Sequence, residues 1–306
     1  MKVLDSISKF FKHVVYVVCI ALVCFMVGCE KDPPIDVPDD DDDIVVKTIE
    51  PGSNLGDVGQ VVFSYRGKQV IYKTVRLNDG SIWLQQNLGA VRVAVLFDDY
   101  LSYGDLFQWG RWDDGHQVAV RNQGYGNIDA PLGSSSGIET LPEPNNPVGL
   151  GVGSPFFYYK AYWWKDVKSA KVTAATQKEV SDTVGCDPCR AIAEGWRMPT
   201  KEEWENVISN TGNILGSDIG INSTYTMNTA TASISALKLP AAGFRVHNTG
   251  KLNSLGSRGI YWSINEFWNN SQNVGQAYTV SIGETGSTVS TSYRGYGFSV
   301  RCLKKK

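Results

Sequence analysis

The residues most able to do chemistry are Cys186-Asp187-Pro188-Cys189, because two thiols at C-x-x-C spacing are the arrangement used for thiol–disulfide exchange. A thioredoxin-like role needs a βαβ unit around that pair, and the flanking sequence has no such alternation of strand and helix periods. Beyond the N-terminal segment the only histidines are His116 and His247, and neither stands at zinc-ligand spacing from the other or from a cysteine. No metal, no cofactor and no catalysis are therefore expected.

The next candidate is Gly195-Trp196-Arg197-Met198-Pro199-Thr200, followed by Lys201-Glu202-Glu203-Trp204. Thr200 and Glu203 form a capping box: the threonine hydroxyl serves the Glu203 N–H, and the Glu203 carboxylate reaches back to Thr200. Pro199 pushes Met198 out of the helical region, and Gly195 permits a sharp entry. Trp196 is expected to pack beside the Trp204 face, and Arg197 to hydrogen-bond backbone carbonyls or a carboxylate of the long loops. Trp196, Arg197, Thr200, Glu203 and Trp204 read as framework rather than as a reactive site.

The elements that must position these residues follow from periodicity. Residues 61–88 alternate apolar and polar positions around Arg66-Gly67 and Asn78-Asp79-Gly80, which predicts a β-meander. Tyr100, Tyr103 and Phe107 stand at helical spacing, so a first helix is expected over 99–112. Residues 113–155 have no sustained period and read as a long loop. A second helix is expected over 201–210, with Trp204, Val207 and Ile208 on one face. Short strand-like segments separated by glycines follow, namely 236–246, 259–265, 277–282 and 297–303. Two helices followed by antiparallel strands predict an α+β domain.

The N-terminus carries Lys2, Lys9 and Lys12 before an apolar run, Val14 to Val27, that ends at Gly28-Cys29. The run falls short of the ~20 apolar residues a membrane span needs, so it reads as a signal peptide over 1–28. Residues 29–60, with the acidic run Asp39–Asp43, read as an extended tether, since like charges repel and little apolar surface is present to bury. The run lacks the spaced ligands, glycine and closing glutamate of a calcium loop. About 260 residues remain for the exported domain, and the formal net charge of −2 gives no electrostatic case for nucleic acid.

Several motifs occur in a fixed order: 80–89 (GSIWLQQNLG), 103–110 (YGDLFQWG), 187–189 (DPC), 195–204 (GWRMPTKEEW), 239–245 (LPAAGFR), 261–263 (YWS) and 297–304 (GFSVRCLK). This order resembles the Fibrobacter succinogenes major paralogous domain, found in exported proteins of Bacteroidetes and Fibrobacteres, over residues 61–304. That family is similar to the C-type-lectin-like fold and to the formylglycine-generating enzyme superfamily. The resemblance implies a C-type-lectin-like domain of two helices, short antiparallel strands and long loops. Its cysteine positions imply a Cys189–Cys302 disulfide, with Cys186–Cys302 and then Cys186–Cys189 as the alternatives. The reactive cysteine pair of the formylglycine-generating enzymes has no counterpart, since Cys302 is the only late cysteine.

Gly28-Cys29 resembles the bacterial lipoprotein box, which implies lipidation of Cys29. Acidic residues directly after it resemble the surface-export signal of Bacteroidetes lipoproteins, which implies an outer-membrane, cell-surface location. Glu143-Pro144-Asn145 matches the calcium and mannose motif of C-type lectins, but it precedes the GWR motif, and its partner would be Trp268-Asn269-Asn270 without the aspartate. Calcium-dependent sugar binding is therefore not expected. The aromatic run 156–164 offers Tyr159, Tyr162, Trp163 and Trp164 as a stacking surface for a glycan or an extracellular protein partner, since so many rings cannot all face inward from one short segment. The expected function is that of a surface-anchored, non-catalytic binding or adhesion module. A structural or fimbria-associated component, or a divergent enzyme of the formylglycine-generating superfamily, is the alternative.

Overall fold

The computed structural model describes residues 47–111, 113, 115–119, 121–122, 126–127, 174–177, 184–209, 236–247, 249–271, 274–283 and 286–305. In chain order the strands are β1 (Val58–Tyr65), β2 (Lys68–Arg76), β3 (Ile82–Leu84), β4 (Phe107–Gln108), β5 (Arg121–Asn122), β6 (Gly126–Asn127), β7 (Ala174–Gln177), β8 (Val184–Cys186) and β9 (Trp196–Arg197). Helix α1 (Lys201–Ser209) comes next. It is followed by β10 (Phe244–Arg245), β11 (Leu252–Asn253), β12 (Arg258–Asn269), β13 (Val274–Gly283), β14 (Gly286–Tyr293), β15 (Gly297–Phe298) and β16 (Leu303–Lys304).

Three sheets carry the fold, in the orders β1-β2-β3-β16-β9, β11-β10-β15-β4 and β14-β13-β12-β7-β8, and β5 pairs with β6. Pairing is antiparallel except between β7 and β8. The meander predicted over 61–88 is present: Arg66 and Gly67 both take positive φ, the geometry of a two-residue hairpin turn, and Gly80 does so in the next turn. Along β1 burial alternates, with Val61 and Phe63 inward, as a half-buried strand requires. Residues ahead of β1 run back along it, since Ile49 bridges to Gln60 and the Arg76 guanidinium takes the carbonyls of Gly52 and Pro51.

The expected α+β, C-type-lectin-like architecture with two helices is overturned. Among the described residues the fold is β-rich, with one α-helix. The segment 99–112 forms a single 3-10 turn, Tyr100–Ser102, capped by Asp99, and then the extended strand β4. The reason lies in Gly104 and Gly110, which take positive φ, and a Cβ on Gly104 would stand 2.4 Å from the Leu88 carbonyl oxygen. Tyr103, Phe107 and Trp109 are buried there without a helix, so their spacing reflects core filling rather than a helical face.

Two clusters make the core. One gathers Val61, Leu84, Trp196, Trp262 and Phe298 around Cys189 and Cys302; the other gathers Val75, Trp83, Trp204, Tyr261, Val280 and Leu303. Strand β16 lies between β3 and β9, so Leu303 and Lys304 complete the sheet that β1 and β2 begin. Arg301 beside it is fully buried and donates to the carbonyls of Leu84 at the end of β3 and of Leu237 and Lys238 in a loop, and to Asn87 Oδ1.

Candidate functional site

The cysteine-containing turn is structural. Cys189 and Cys302 form a disulfide across 113 residues, while Cys186 is buried outside that bond. Asp187 is fully buried and accepts from the N–H groups of Cys189 and Met198, both at 3.0 Å, so it caps the 3-10 turn Pro188–Ala191 and ties it to the GWR motif. Burial pushes its carboxyl up to about 7, against the pull of the two N–H groups and of Arg190 and Arg197.

The GWR motif is bound into the fold by packing and hydrogen bonds. Trp196 and Arg197 form β9 and project to opposite sides, as strand residues do. Trp196 consequently packs with the disulfide cluster and not beside Trp204, which meets Trp83 and Tyr261 at ring separations of 5.1 and 5.5 Å. Thr200 and Glu203 form the capping box: Glu203 N–H donates to Thr200 Oγ1 at 3.1 Å, and Thr200 N–H to Glu203 Oε2 at 2.8 Å. Arg197 clamps the same carboxylate with two bonds of 2.7 Å and also donates to the Met198 carbonyl. Its carboxylate partner therefore comes from the helix, not from a long loop.

Cys29, Glu143, Asn145 and the predicted stacking residues Tyr159, Tyr162, Trp163 and Trp164 lie outside the described residues. A different aromatic site stands within them. Where β10 and β15 of the second sheet meet the ends of β12, β13 and β14 of the third, an open cleft of about 450 Å³ forms. Phe244, Tyr293, Tyr296 and Phe298 supply its rings. Asn269 and Gln276 supply amides, and Thr291 and Ser292 hydroxyls; among the described residues no charged side chain lines it.

The rings are arranged in layers. Phe298, 2% exposed, packs at 4.5 Å from the buried Trp262, and Tyr296 stacks on Phe298 at 5.5 Å with their planes 12° apart. Phe244 meets both edge-on, and His247 stands edge-on to Tyr296 at 4.6 Å and to Tyr293 at 5.6 Å. With Phe298 beneath it, Tyr296 is a half-buried ring at the cleft. Burial, followed by the neighbouring Tyr293, raises the Tyr296 phenol above its ordinary range, so it remains a neutral donor at physiological pH.

The polar side is held from behind. Arg294 is buried, lies over the Trp109 ring at 4.6 Å, donates to the Gln276 carbonyl and pairs with Glu266 at 2.9 Å, which locks the turn between β14 and β15 to the β12–β13 pair. Thr291 Oγ1 donates to Gln276 Oε1 at 2.8 Å, leaving the Gln276 amide nitrogen to act as a donor. Rings with adjacent amides and hydroxyls suit noncovalent recognition of a neutral polar ligand. Sequence reasoning overlooked this site. The clustered Tyr293, Tyr296 and Phe298 among glycines was the available signal, while Phe244 and Gln276 join it only through sheet topology.

Among the described residues no group of three His, Cys, Asp or Glu side chains could hold a metal ion, and no helix is long and apolar enough to cross a membrane. No family model, no curated protein and no solved structure matches this chain.

Proposed function

We propose that the chain is a surface-anchored lipoprotein whose domain is a non-catalytic binding module for a neutral saccharide, held in the aromatic cleft. The observation that carries this reading is the Tyr296 platform, backed by Phe298 and bordered by the amides of Asn269 and Gln276. A pyranose has one face of C–H groups and an equatorial rim of hydroxyls, which matches a ring beside fixed amides. A lining without charge disfavours acidic sugars, which would lose hydration without gaining a cationic partner. The motif order that resembles the Fibrobacter succinogenes major paralogous domain, Cys29 after Gly28 and the acidic residues that follow support the exported, lipid-anchored part of the reading.

The test is binding of the full-length chain, in detergent, to an array of neutral and acidic glycans with and without a chelator. Neutral sugars are expected to bind equally in both conditions. Tyr296→Ala is expected to weaken binding by ~1–3 kcal/mol, the scale of a large apolar contact, with the fold intact. Binding restricted to acidic sugars, or unchanged in Tyr296→Ala, would sink the cleft as the site.

A further inference from the structure

We propose that the ligand of this domain is a linear chain of neutral sugars, whose further units lie on Phe267 and Tyr278, on the face of the third sheet beside the cleft. The proposal deepens the cleft reading above and rests on it. In an antiparallel sheet, residues directly opposite each other share a face. The registers set Phe267 against Gln276 and Gln276 against Tyr293, so these three form one row across β12, β13 and β14. Tyr278 and Thr291 pair in the next row on the same side, two residues along each strand. Two contacts agree with this placement: Thr291 Oγ1 reaches Gln276 Oε1 at 2.8 Å, and the Phe267 and Tyr278 rings stand 5.7 Å apart.

Gln276, Thr291 and Tyr293 line the cleft, whereas Phe267 and Tyr278 do not. The same sheet face therefore carries aromatic residues past the point where the cleft ends. Phe267 and Tyr278 are half-buried, and neither belongs to the two core clusters. Neighbouring strands lie roughly 5 Å apart, so the row from Tyr293 to Phe267 spans roughly 10 Å. That is wider than one pyranose, and a single unit held at Tyr296 cannot also cover Phe267 and Tyr278.

The chemistry of the cleft is repeated along this face. Tyr293, Gln276 and Phe267 alternate ring, amide and ring, and the next row sets the Thr291 hydroxyl beside the Tyr278 ring. Gln276 stands between the two rings of its row with its amide nitrogen as a donor, a position suited to a hydroxyl near the linkage of two units. Lys201, in the first turn of α1, lies over the Tyr278 ring at 5.3 Å and ends the strip. Its ammonium is paired with Glu205 at 2.8 Å, so it brings no unbalanced charge and the extension keeps the cleft's preference for a neutral chain.

The test is isothermal titration of the full-length chain, in a detergent without a sugar headgroup, with neutral gluco-, manno- and xylo-oligosaccharides of one to six units in α and β linkage. At least one series is expected to bind about tenfold more tightly at three units than at one and then to level off, the scale of one added ring contact. Tyr278→Ser is expected to bind the single unit as the wild type does and to lose the gain with length, while Tyr278→Phe keeps it. Phe267→Leu repeats the comparison independently of residue 278. Equal affinity at every length, with Tyr296→Ala still weakening it, would overturn the extension and leave the cleft reading standing. Binding at no length would overturn both. A Tyr278→Ser chain that gains with length as the wild type does, or that loses the single unit while melting normally, would also overturn the extension.

Discussion

Arg197 and Glu203 are joined by two parallel bonds of 2.7 Å, and the same carboxylate accepts from Thr200 N–H and from Lys305 at 2.9 Å. Glu203 therefore fixes the start of α1, strand β9 and the C-terminal residues at one point. Burial pushes its carboxyl up, but Arg197, the Thr200 N–H and Lys305 outweigh that and bring it down to about 2. A depressed carboxylate contributes stability that is present above its unfolded value near 4.5 and lost as pH falls towards 2. Glu203→Gln is expected to cost about 2 kcal/mol at neutral pH, and the deficit should shrink on acidification. Urea midpoints of both proteins from pH 2 to 7 check this; a deficit that stays constant would show that the charge is not what matters.

Asp187 behaves oppositely. Its folded value, about 7, lies above the ordinary 3.8, so the folded chain holds a proton that the unfolded chain has released. Its contribution is fully present below about 4 and declines as pH rises through that window, by at most about 1.4 kcal/mol per pH unit. Asp187→Asn is expected to abolish this slope while losing one backbone acceptor, a constant cost of ~1–2 kcal/mol. Denaturation at closely spaced pH values separates slope from offset. An unchanged slope in the variant would assign the titration elsewhere.

The contrast between these two acids marks what the sequence could convey. Thr200 and Glu203 are three residues apart, so their capping box is local and legible, as is the Arg66-Gly67 turn. Asp187 sits in an equally short motif, yet its burial comes from the packing of the Pro188–Ala191 turn against Met198, which no local pattern states. The cleft is less legible still, because Phe244, Gln276 and Tyr296 meet only after two sheets have formed and packed. Helical spacing over 99–112 misled for a related reason: Tyr103, Phe107 and Trp109 fill the core from an irregular segment buried from 102 to 111, and Gly104 and Gly110 decide the backbone.

The disulfide closes a long loop, from the turn before GWR to the residue just ahead of β16. On the chain-entropy model such a loop contributes ~4–5 kcal/mol. Replacing Cys189 and Cys302 together by alanine is expected to lower the denaturant midpoint accordingly. Reductant should shift the wild type towards the variant and leave the variant unmoved. A reductant effect on the double variant would implicate another cysteine.

Arg301 tests the buried polar core. Its guanidinium spans three carbonyls and the Asn87 amide oxygen, and burial lowers it to about 10, so it remains charged at neutral pH. Lysine offers a point charge where a planar fork is needed, so Arg301→Lys is expected to cost ~2–3 kcal/mol, and Arg301→Met ~3–5 kcal/mol through the carbonyls it strands. Thermal melts of the two variants check the order. A methionine variant as stable as wild type would mean that those carbonyls find water instead.

Two aromatic sites now compete for the ligand: the cleft around Tyr296 and the segment that contains Tyr159, Tyr162, Trp163 and Trp164. They are separable because their rings lie far apart in sequence and can be removed independently. If the cleft is the site, Tyr296→Ala and Tyr293→Ala should each weaken neutral-sugar binding while Trp163→Ala and Trp164→Ala leave it unchanged. Gln276→Glu should also weaken it, since a carboxylate in place of the amide removes the donor and places charge in an uncharged lining. Isothermal titration on each variant, with melting curves as the control for folding, reads the outcome. Loss of binding only in the tryptophan variants would move the site to 156–164 and leave the cleft without a role.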